Sequence, residues 1–211
     1  MMVMKTLLWQ LSVVVLAGLL LCLPTICQAA TEEQAAPKPK YRVLIIRAAG
    51  CVPGTEKPTE SDAITHATDK AANTHVFTKN LAGKLEVLKI QAEIKDYSKC
   101  KDFEKLLSVD VVVFAGPTYG NKLPKQLQQF IPKVKAAVNK HPTVLYSCLT
   151  SCWKPPTGFA AIDHFTKSLK EAGARTISGV VLGSKTKEKE WDKKIKEFVS
   201  SLVKALEKTG K

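Results

Sequence analysis

Short apolar runs alternate with amphipathic stretches from Tyr41 to the end of the chain. Five of these runs have the length of strands, and the first, Tyr41–Arg47, is rich in β-branched residues, which is typical of a buried strand. The run Val109–Gly116 is the strongest, and Leu88–Ile94 is a weaker one with alternating polarity. The five predicted strands are Tyr41–Arg47, Leu88–Ile94, Val109–Gly116, Thr143–Leu149 and Thr176–Gly183.

Four amphipathic patterns lie between or after these runs, each with apolar residues at the spacing of a helix packed by one face. In the last pattern lysines and glutamates cover the opposite face, so we expect Trp191 in the core. Strands that alternate with helices predict βαβ crossovers, and hence an α/β fold whose parallel sheet is covered by helices on both faces. The apolar positions are Phe77, Leu81 and Leu85; Leu123, Leu127, Phe130 and Ile131; Phe159, Ile162, Phe165 and Leu169; and Trp191, Ile195, Phe198, Val199, Leu202 and Leu206.

Residues 1–29 have the layout of a secretory signal peptide, with Lys5 before an apolar stretch, then Pro24 and the small residues Cys27 and Ala29. Residues 30–40 are polar and carry prolines, which predicts a linker, and residues 41–211 form one domain. The expected localisation is therefore exported, either periplasmic or extracellular. The alternative is an uncleaved membrane anchor, since the apolar stretch approaches the roughly 18 residues that span a bilayer.

The segment from Ala48 to about Ala67 interrupts the alternation of strands and helices. It is long, contains two glycines and two prolines, and shows no periodicity. Loops of this length in compact domains are usually functional or mobile.

The chain carries a formal net charge of +13, dominated by lysine. Such a charge can steer a protein toward anionic partners, lipid headgroups or acidic redox proteins. Because the lysines are scattered, the alternative is an ordinary solvated surface. The sequence shows no arginine cluster with interleaved aromatic residues, so nucleic-acid binding is not expected.

The turn after the third predicted strand, Pro117–Asn121, has the composition of a binding loop. In an open parallel sheet, ligands bind beyond the carboxyl ends of the strands. Gly120 permits a tight turn, Thr118 and Asn121 supply polar side chains, and Tyr119 supplies a flat ring. This combination suits a planar polar ligand, whereas the simpler interpretation is an ordinary strand-to-helix turn.

Two further segments would approach this turn at the same edge of the sheet. Asn73 and Thr74, near the start of the first helix, could hold a phosphate through side chains and backbone amides, although any capped helix start looks similar. The other segment could line a pocket, unless its tryptophan packs under the following prolines. It comes after the fourth predicted strand and consists of Thr150, Ser151, Cys152 and Trp153.

The stretch Ala115–Asn121, followed by Leu123-Pro124, Leu127 and Phe130, resembles the flavin-ring loop of flavodoxin-like proteins. It is most similar to the branch that contains FMN-dependent quinone reductases. Asn73-Thr74 before a helix resembles the end of that family's phosphate loop, and the resemblance covers nearly all of the predicted domain.

The resemblance implies a five-stranded sheet of order 2-1-3-4-5 that binds FMN noncovalently. Thr118 and Asn121 would hydrogen-bond the ring, Tyr119 would stack or pack against its edge, and the Thr150–Trp153 loop would touch its other side. The protein would then be an exported redox protein for electron transfer or quinone reduction, an FMN-dependent oxidoreductase if it turns over a substrate. Its partner would be a redox protein or a membrane quinol, and self-association into a homo-oligomer is left open.

The phosphate loop departs from that family's pattern. In the family this loop is short and follows the first strand directly, whereas here an insertion of about 20 residues intervenes and Ala72 stands where the family has glycine. The Cβ of Ala72 hinders both a positive φ and the close approach of a phosphate. The alternative is therefore an exported binding or interaction module that keeps the fold and has lost the flavin.

Four cysteines, Cys51, Cys100, Cys148 and Cys152, lie beyond the predicted leader, and an exported protein can form disulfides. The implied strand order brings Cys51 and Cys100 to the same edge, so we expect a Cys51–Cys100 disulfide. Cys148 and Cys152 would pair or stay as thiols, and a redox-active pair in thiol–disulfide chemistry is a further alternative. Cys-x₃-Cys with no second close pair is a poor zinc site, and no metal is expected.

Overall fold

The computed structural model describes residues 39–48, 70–118, 121–152, 154–183 and 188–209 of the 211-residue chain. The chain divides into two units, Met1–Lys38 and Pro39–Lys211, and all described residues belong to the second. The expected signal peptide, the linker up to residue 38 and the segment 49–69 lie outside the described residues.

A parallel sheet forms the centre of the domain. Its order is β2-β1-β3-β4-β5, and β6 also pairs with β4. Because every pairing is parallel, all carboxyl ends lie at one edge of the sheet, and the expected order 2-1-3-4-5 is confirmed. The strands are β1 (Arg42–Arg47), β2 (Gln91–Asp96), β3 (Val111–Pro117), β4 (Leu145–Cys152), β5 (Arg175–Thr176) and β6 (Val180–Gly183).

Helices cover both faces of this sheet, as the alternation of patterns predicts. One face carries α1 (Lys70–Val87) and α5 (Glu188–Glu207). The other carries α2 (Lys125–Gln128), α3 (Phe130–Ala137) and α4 (Pro155–Glu171), together with two short 3₁₀ turns after β2. The described residues of the second unit therefore form an α/β domain with helices on both faces of its sheet.

Each face of the sheet has its own apolar cluster. Under α1 and α5, Trp191 packs edge-on against Phe77 with ring centroids 4.8 Å apart. Its Nε1–H donates to the carbonyl oxygen of Gly183 at 2.8 Å. Trp191 is thus partly buried and packs against the core cluster with its polar atom satisfied, which agrees with the predicted packing role.

Phe159 does not lie on the buried face of α4, contrary to the prediction, and is 56% exposed. The buried stripe of this helix begins one position earlier, at Gly158, and continues through Ile162 and Phe165. Gly158 packs tightly on the sheet, since a Cβ there would lie 2.5 Å from Cγ1 of Val181. Both Gly158 and Phe159 lie at helical spacing, three or four residues, before Ile162. The spacing of apolar residues therefore does not show which of the two begins the buried face.

The second strand begins three residues later than predicted. Leu88 and Lys89 belong instead to the turn that closes α1, in which the N–H groups of Leu88 and Ile90 both donate to Leu85 O. Lys89 adopts φ 58°, the left-handed conformation that commonly ends a helix.

The fifth predicted strand, Thr176–Gly183, is split into β5 and β6. Both pieces pair with β4, and the backbone between them accepts side-chain hydrogen bonds instead. Ser147 Oγ donates to Ser178 O at 3.1 Å, and Gly179 lies so close to β4 that a Cβ there would be 2.6 Å from Cys148 O. The two pieces together occupy the fifth position of the sheet.

Candidate functional site

The carboxyl ends of β1, β3 and β4 meet the beginning of α1 at one edge of the sheet. The chain leaves β1 toward β2 on one side, while β3 leads to β4 on the other side. Open α/β sheets bind ligands at such a change of direction. Beyond β1, Ala48 N donates to Ala115 O at 2.8 Å, so the chain still follows β3 where it leaves the sheet.

A buried pair of hydroxyls joins the exits of β3 and β4. Thr150 Oγ1 donates to Gly116 O at 2.9 Å and lies 2.5 Å from Thr118 Oγ1. Since a hydroxyl carries a single proton, Thr118 is the donor within the pair. The N–H of Thr118 donates to Ser151 O at 2.9 Å, which fixes the first residue of the turn after β3 against β4.

A second hydroxyl contact ties α1 to the same place. Thr74 Oγ1 and Ser151 Oγ are 2.7 Å apart, although 77 residues separate them in the sequence. Both side chains are completely buried, as is Thr78, whose hydroxyl donates to Thr74 O at 2.9 Å. The start of α1 and the exits of two strands therefore form one connected unit.

The structure corrects the predicted position of Thr150, Ser151 and Cys152. They are not in a loop after the fourth strand but form the last three residues of β4, and each is completely buried. Gly116 pairs with Thr150, and Pro117 pairs with Ser151. The strands can continue here because the hydroxyl of Thr150 bonds to Thr118 and to the backbone, and the hydroxyl of Ser151 bonds to Thr74 on α1, so neither needs water.

The predicted site residues thus separate into two groups. Thr74, Thr118 and the three residues at the end of β4 point into the protein, whereas Asn121 is exposed and Asn73 is partly exposed. Asn121 adopts φ 61°, a conformation that asparagine tolerates better than most residues. Pro117 ends β3, and Tyr119, Gly120 and Trp153 lie outside the described residues.

A charged cluster that the sequence analysis missed lies at the ends of β1 and β2. Arg47 and Asp96 are direct neighbours in the parallel register, and the guanidinium donates to Asp96 Oδ1 from Nε at 3.0 Å and Nη2 at 2.9 Å. Nη1 of Arg47 donates to Nδ1 of His75 on α1. The signal in the sequence is a charged residue at the last position of each of two adjacent strands.

Burial and this contact both disfavour protonation of His75. Partial burial lowers its pKa below the ordinary value of 6.5, and the positive charges of Arg47 and Lys79 lower it further, while Asp96 acts in the opposite direction. Arg47 can donate to Nδ1 only while that nitrogen is unprotonated.

The cysteines in the part of the chain that the structure describes, Cys100, Cys148 and Cys152, are thiols and not members of a disulfide. Cys148 and Cys152 both lie within β4, so about 13 Å of extended chain separates them, far beyond the roughly 7 Å between Cα atoms that a disulfide tolerates. The suggested pair is therefore wrong, and its alternative of thiols holds. Cys51 lies outside the described residues, so the expected Cys51–Cys100 bridge is not shown.

Burial makes two of these thiols unreactive. It raises the pKa of Cys148 to about 12 and that of Cys100 to about 11. Since the thiolate is the reactive form, the thiol–disulfide alternative has no support from these residues.

Only some of the predicted site residues that the structure describes have side chains open to a ligand such as a flavin. Asn121 and Asn73 are placed to contact a ligand at this edge, and the buried hydroxyls fit as supports under the binding loops. Thr74, Thr118, Thr150, Ser151 and Cys152 do not fit as direct ligands because their side chains face the interior. Within the described residues, no group of three His, Cys, Asp or Glu side chains could hold a metal ion. None of the described helices is long and apolar enough to cross a bilayer.

Solved structures of flavodoxins and flavodiiron proteins share this architecture. A short-chain flavodoxin associated with a non-canonical PDU bacterial microcompartment is 17% identical, with a TM-score of 0.53 over 79% of this chain and 97% of that one. A flavodoxin from Fusobacterium nucleatum bound to flavin mononucleotide is 9% identical, with a TM-score of 0.55 over 78% and 98%. The Flv1 flavodiiron core from Synechocystis is 17% identical, with a TM-score of 0.58 over 90% and 41%.

These comparisons establish the class of fold: the chain has the flavodoxin-like α/β fold. At such identities the likeness concerns the fold alone. No protein-family model matches the sequence, and no curated protein matches it either.

Proposed function

We propose that this protein is an exported FMN-binding redox protein that transfers electrons or reduces a quinone at the carboxyl edge of its sheet. The hydroxyl-linked exits of β3 and β4 carry the proposal, because they hold the turn after β3 in place at the switch point of the sheet. Flavodoxin structures with the same fold, one of them bound to flavin mononucleotide, support the choice of ligand.

In this proposal the chain's residues bind and orient the cofactor. Asn121, exposed in its left-handed turn, would hydrogen-bond the edge of the ring. Asn73 and the beginning of α1 would hold the phosphate, where backbone N–H groups favour an anion. FMN would supply one- and two-electron redox chemistry when bound.

The buried hydroxyls would act as positioning groups. Thr118 and Thr150 set the distance between the two loops that face the ring, and Thr74 and Ser151 set the position of the phosphate end relative to them. A site held in this way loses little entropy when it binds a rigid ligand.

Titration of FMN with the purified protein, followed by quenching of flavin fluorescence, tests the proposal. We expect one-to-one binding, with riboflavin bound more weakly because it lacks the phosphate. Asn121→Gly removes the side-chain amide while tolerating φ 61°, and should weaken FMN binding about three- to tenfold, the value of one hydrogen bond.

Asn139→Gly is the matched control for that variant. Asn139 is also exposed, but it lies between α3 and β4 at the opposite edge of the sheet, so FMN affinity should stay within about twofold. Absence of quenching in the unmodified protein would favour the second candidate, a binding module that keeps this fold without a flavin. The long insertion after β1, and Ala72 at the position where the flavodoxin-like family has glycine, are the observations that favour this candidate.

Export is part of the proposal and rests on the sequence of residues 1–29. Amino-terminal sequencing of the protein from its native cell tests it. We expect the mature chain to begin at Ala30, and a mature chain that begins at residue 1 or 2 would contradict cleavage.

A further inference from the structure

The positive charge of this chain is unevenly distributed. The stretch 111–162, a quarter of the chain, contains six lysines and no aspartate or glutamate. By contrast, α5 contains five lysines and five acidic residues. Lysines on α5 therefore have acidic neighbours, of which Asp192 pairs with Lys196 at 2.8 Å, whereas those in 111–162 have none nearby in sequence.

Three of these six lysines lie on or after α3. Lys133 lies over the ring of Phe130, 4.9 Å from its centroid, and donates to the carbonyl oxygen of Cys100 at 3.5 Å. Lys140 forms an ion pair with Glu104 at 2.8 Å, and Lys135 is exposed on α3. These three do not directly follow the exits of β3 and β4.

The other three, Lys122, Lys125 and Lys154, form what we call the lysine rim. Lys122 and Lys125 follow the exit of β3, and Lys154 follows the exit of β4. These exits are adjacent, since Pro117 pairs with Ser151. All three lysines are exposed, and none forms an ion pair with any residue in the part of the chain that the structure describes.

The rim lysines occupy positions that helix stability disfavours. Lys154 is the N-cap of α4, where it makes no side-chain capping hydrogen bond, and Lys125 is the first residue of α2. Neither helix has an acidic residue in its first turn. The partial positive charge of a helix N-terminus repels cations and favours anions, so Lys154 adds positive charge at the beginning of the 17-residue helix α4 where an acidic residue would be more stable.

Exposed apolar side chains lie beside this charge. Pro155 and Pro156 are exposed directly after Lys154, and Phe159, one turn further along α4, is 56% exposed. Phe159 also lines a groove with residues of β6 and α5, among them Glu197 and Phe198, so it flanks the lysines only on the side of Lys154. Exposed aromatic residues beside polar, charged surface are typical of protein–protein contacts.

We propose that the lysine rim is a docking surface for an acidic protein that exchanges electrons at the candidate site. The proposal deepens the proposed function, on which its redox part rests, while the docking surface itself can be tested without any flavin. Complementary charge of this kind accelerates encounter and weakens with salt.

Fluorescence anisotropy with a rhodamine-labelled, glutamate-rich peptide tests the rim. We expect Lys122→Gln/Lys125→Gln/Lys154→Gln to weaken peptide binding about tenfold at low salt, as three exposed charge contacts would. The matched control is Lys189→Gln/Lys193→Gln/Lys204→Gln, which removes the same charge from exposed positions on α5 and should weaken binding less than about threefold.

Equal losses in the two triple variants, or no loss in the rim variant, would overturn the proposal in favour of general charge attraction. A several-degree fall in the melting temperature of the rim variant alone would overturn it too, because the lysines would then pair within their own chain. Rim-dependent binding to phosphatidylglycerol vesicles, without binding to the peptide, would replace the acidic protein with a lipid surface.

FMN titration of the same variants separates this proposal from the proposed function. A protein that binds the peptide through the rim and does not bind FMN would keep the docking surface and refute the flavin. A protein that binds FMN but does not bind the peptide would support the flavin and refute the docking surface.

Discussion

The hydroxyl pair between Thr118 and Thr150 gives a sharp test of how the site is held together. The two side chains are 4% and 0% exposed, so water cannot replace a lost partner. Thr150 Oγ1 donates to Gly116 O and accepts from Thr118, whereas Thr118 Oγ1 contacts only Thr150 among the described hydrogen bonds. The two hydroxyls are therefore not equivalent.

Thr150→Val should be the more harmful single substitution. It removes the bond to Gly116 O and leaves the buried hydroxyl of Thr118 without its acceptor, at a combined cost of about 2 kcal/mol. Thr118→Val removes one donor, while Thr150 keeps its bond to Gly116 O, so the cost should be about 1 kcal/mol. Each kcal/mol should lower the melting temperature by about 2–4 °C in a domain of this size.

The double variant Thr118→Val/Thr150→Val should cost less than the sum of the two single variants. It leaves no hydroxyl without a partner, and replacing both members of a buried polar pair by apolar groups of the same shape is often nearly neutral. We expect a coupling of about 1 kcal/mol in a double-mutant cycle measured by urea unfolding.

Thr150→Ser is the control, since it keeps the hydroxyl and removes only a methyl group. A Thr118→Val variant that is less stable than Thr150→Val would refute the assigned direction of the hydrogen bond. A double variant whose cost equals the sum of the singles within about 0.5 kcal/mol would refute the pairing itself.

Three further predictions address packing, pH and helix capping. Gly158→Ala should destabilise the domain by about 1–3 kcal/mol in urea unfolding, because its Cβ would meet Val181, whereas Gly83→Ala, at an open position on α1, should be neutral or stabilising. Protonation of His75 is disfavoured in the folded state because its pKa is lowered from 6.5. Its contribution to stability is therefore complete above pH 6.5 and is lost as the pH falls through the folded-state pKa. His75→Gln removes this titration and should flatten the acid side of the plot of melting temperature against pH. Lys154→Asp should raise stability by about 1 kcal/mol by capping α4, and should weaken binding of the acidic peptide.

Each of these predictions has a contradicting outcome. Gly158→Ala and Gly83→Ala of equal stability would show that α4 can move away from the sheet at little cost. An unchanged pH profile in His75→Gln would mean that other groups dominate acid unfolding. A loss of stability in Lys154→Asp would show that the lysine itself supports the start of α4.

The sequence predicts the main strands and helices well because buried strands and amphipathic helices have strong local patterns of apolar residues. Residues 111–116 of the predicted strand Val109–Gly116 lie in β3. Trp191 packs against the core cluster. The strand order is predicted only by the resemblance to flavodoxin-like proteins, because hydrophobic periodicity does not specify which strands are neighbours.

The environment of the site residues could not be predicted in the same way. Thr150, Ser151 and Cys152 have the polarity of a loop, yet they lie in a strand, where the hydroxyls of Thr150 and Ser151 contact Thr118 and Thr74 from distant parts of the chain. Such pairings are nonlocal, and a single sequence does not display them. The spacing of Cys148 and Cys152 allows a disulfide in a loop but not in an extended strand, and both residues lie within β4.

The central claim is that the carboxyl edge of this sheet binds FMN, and amide hydrogen exchange of the purified protein with and without FMN tests it most directly. We expect FMN to protect the residues that follow β3, those that follow β4 and the beginning of α1, and to leave the opposite edge around Asn139 unchanged. No change in exchange at saturating FMN, or protection confined to the opposite edge, would contradict the claim.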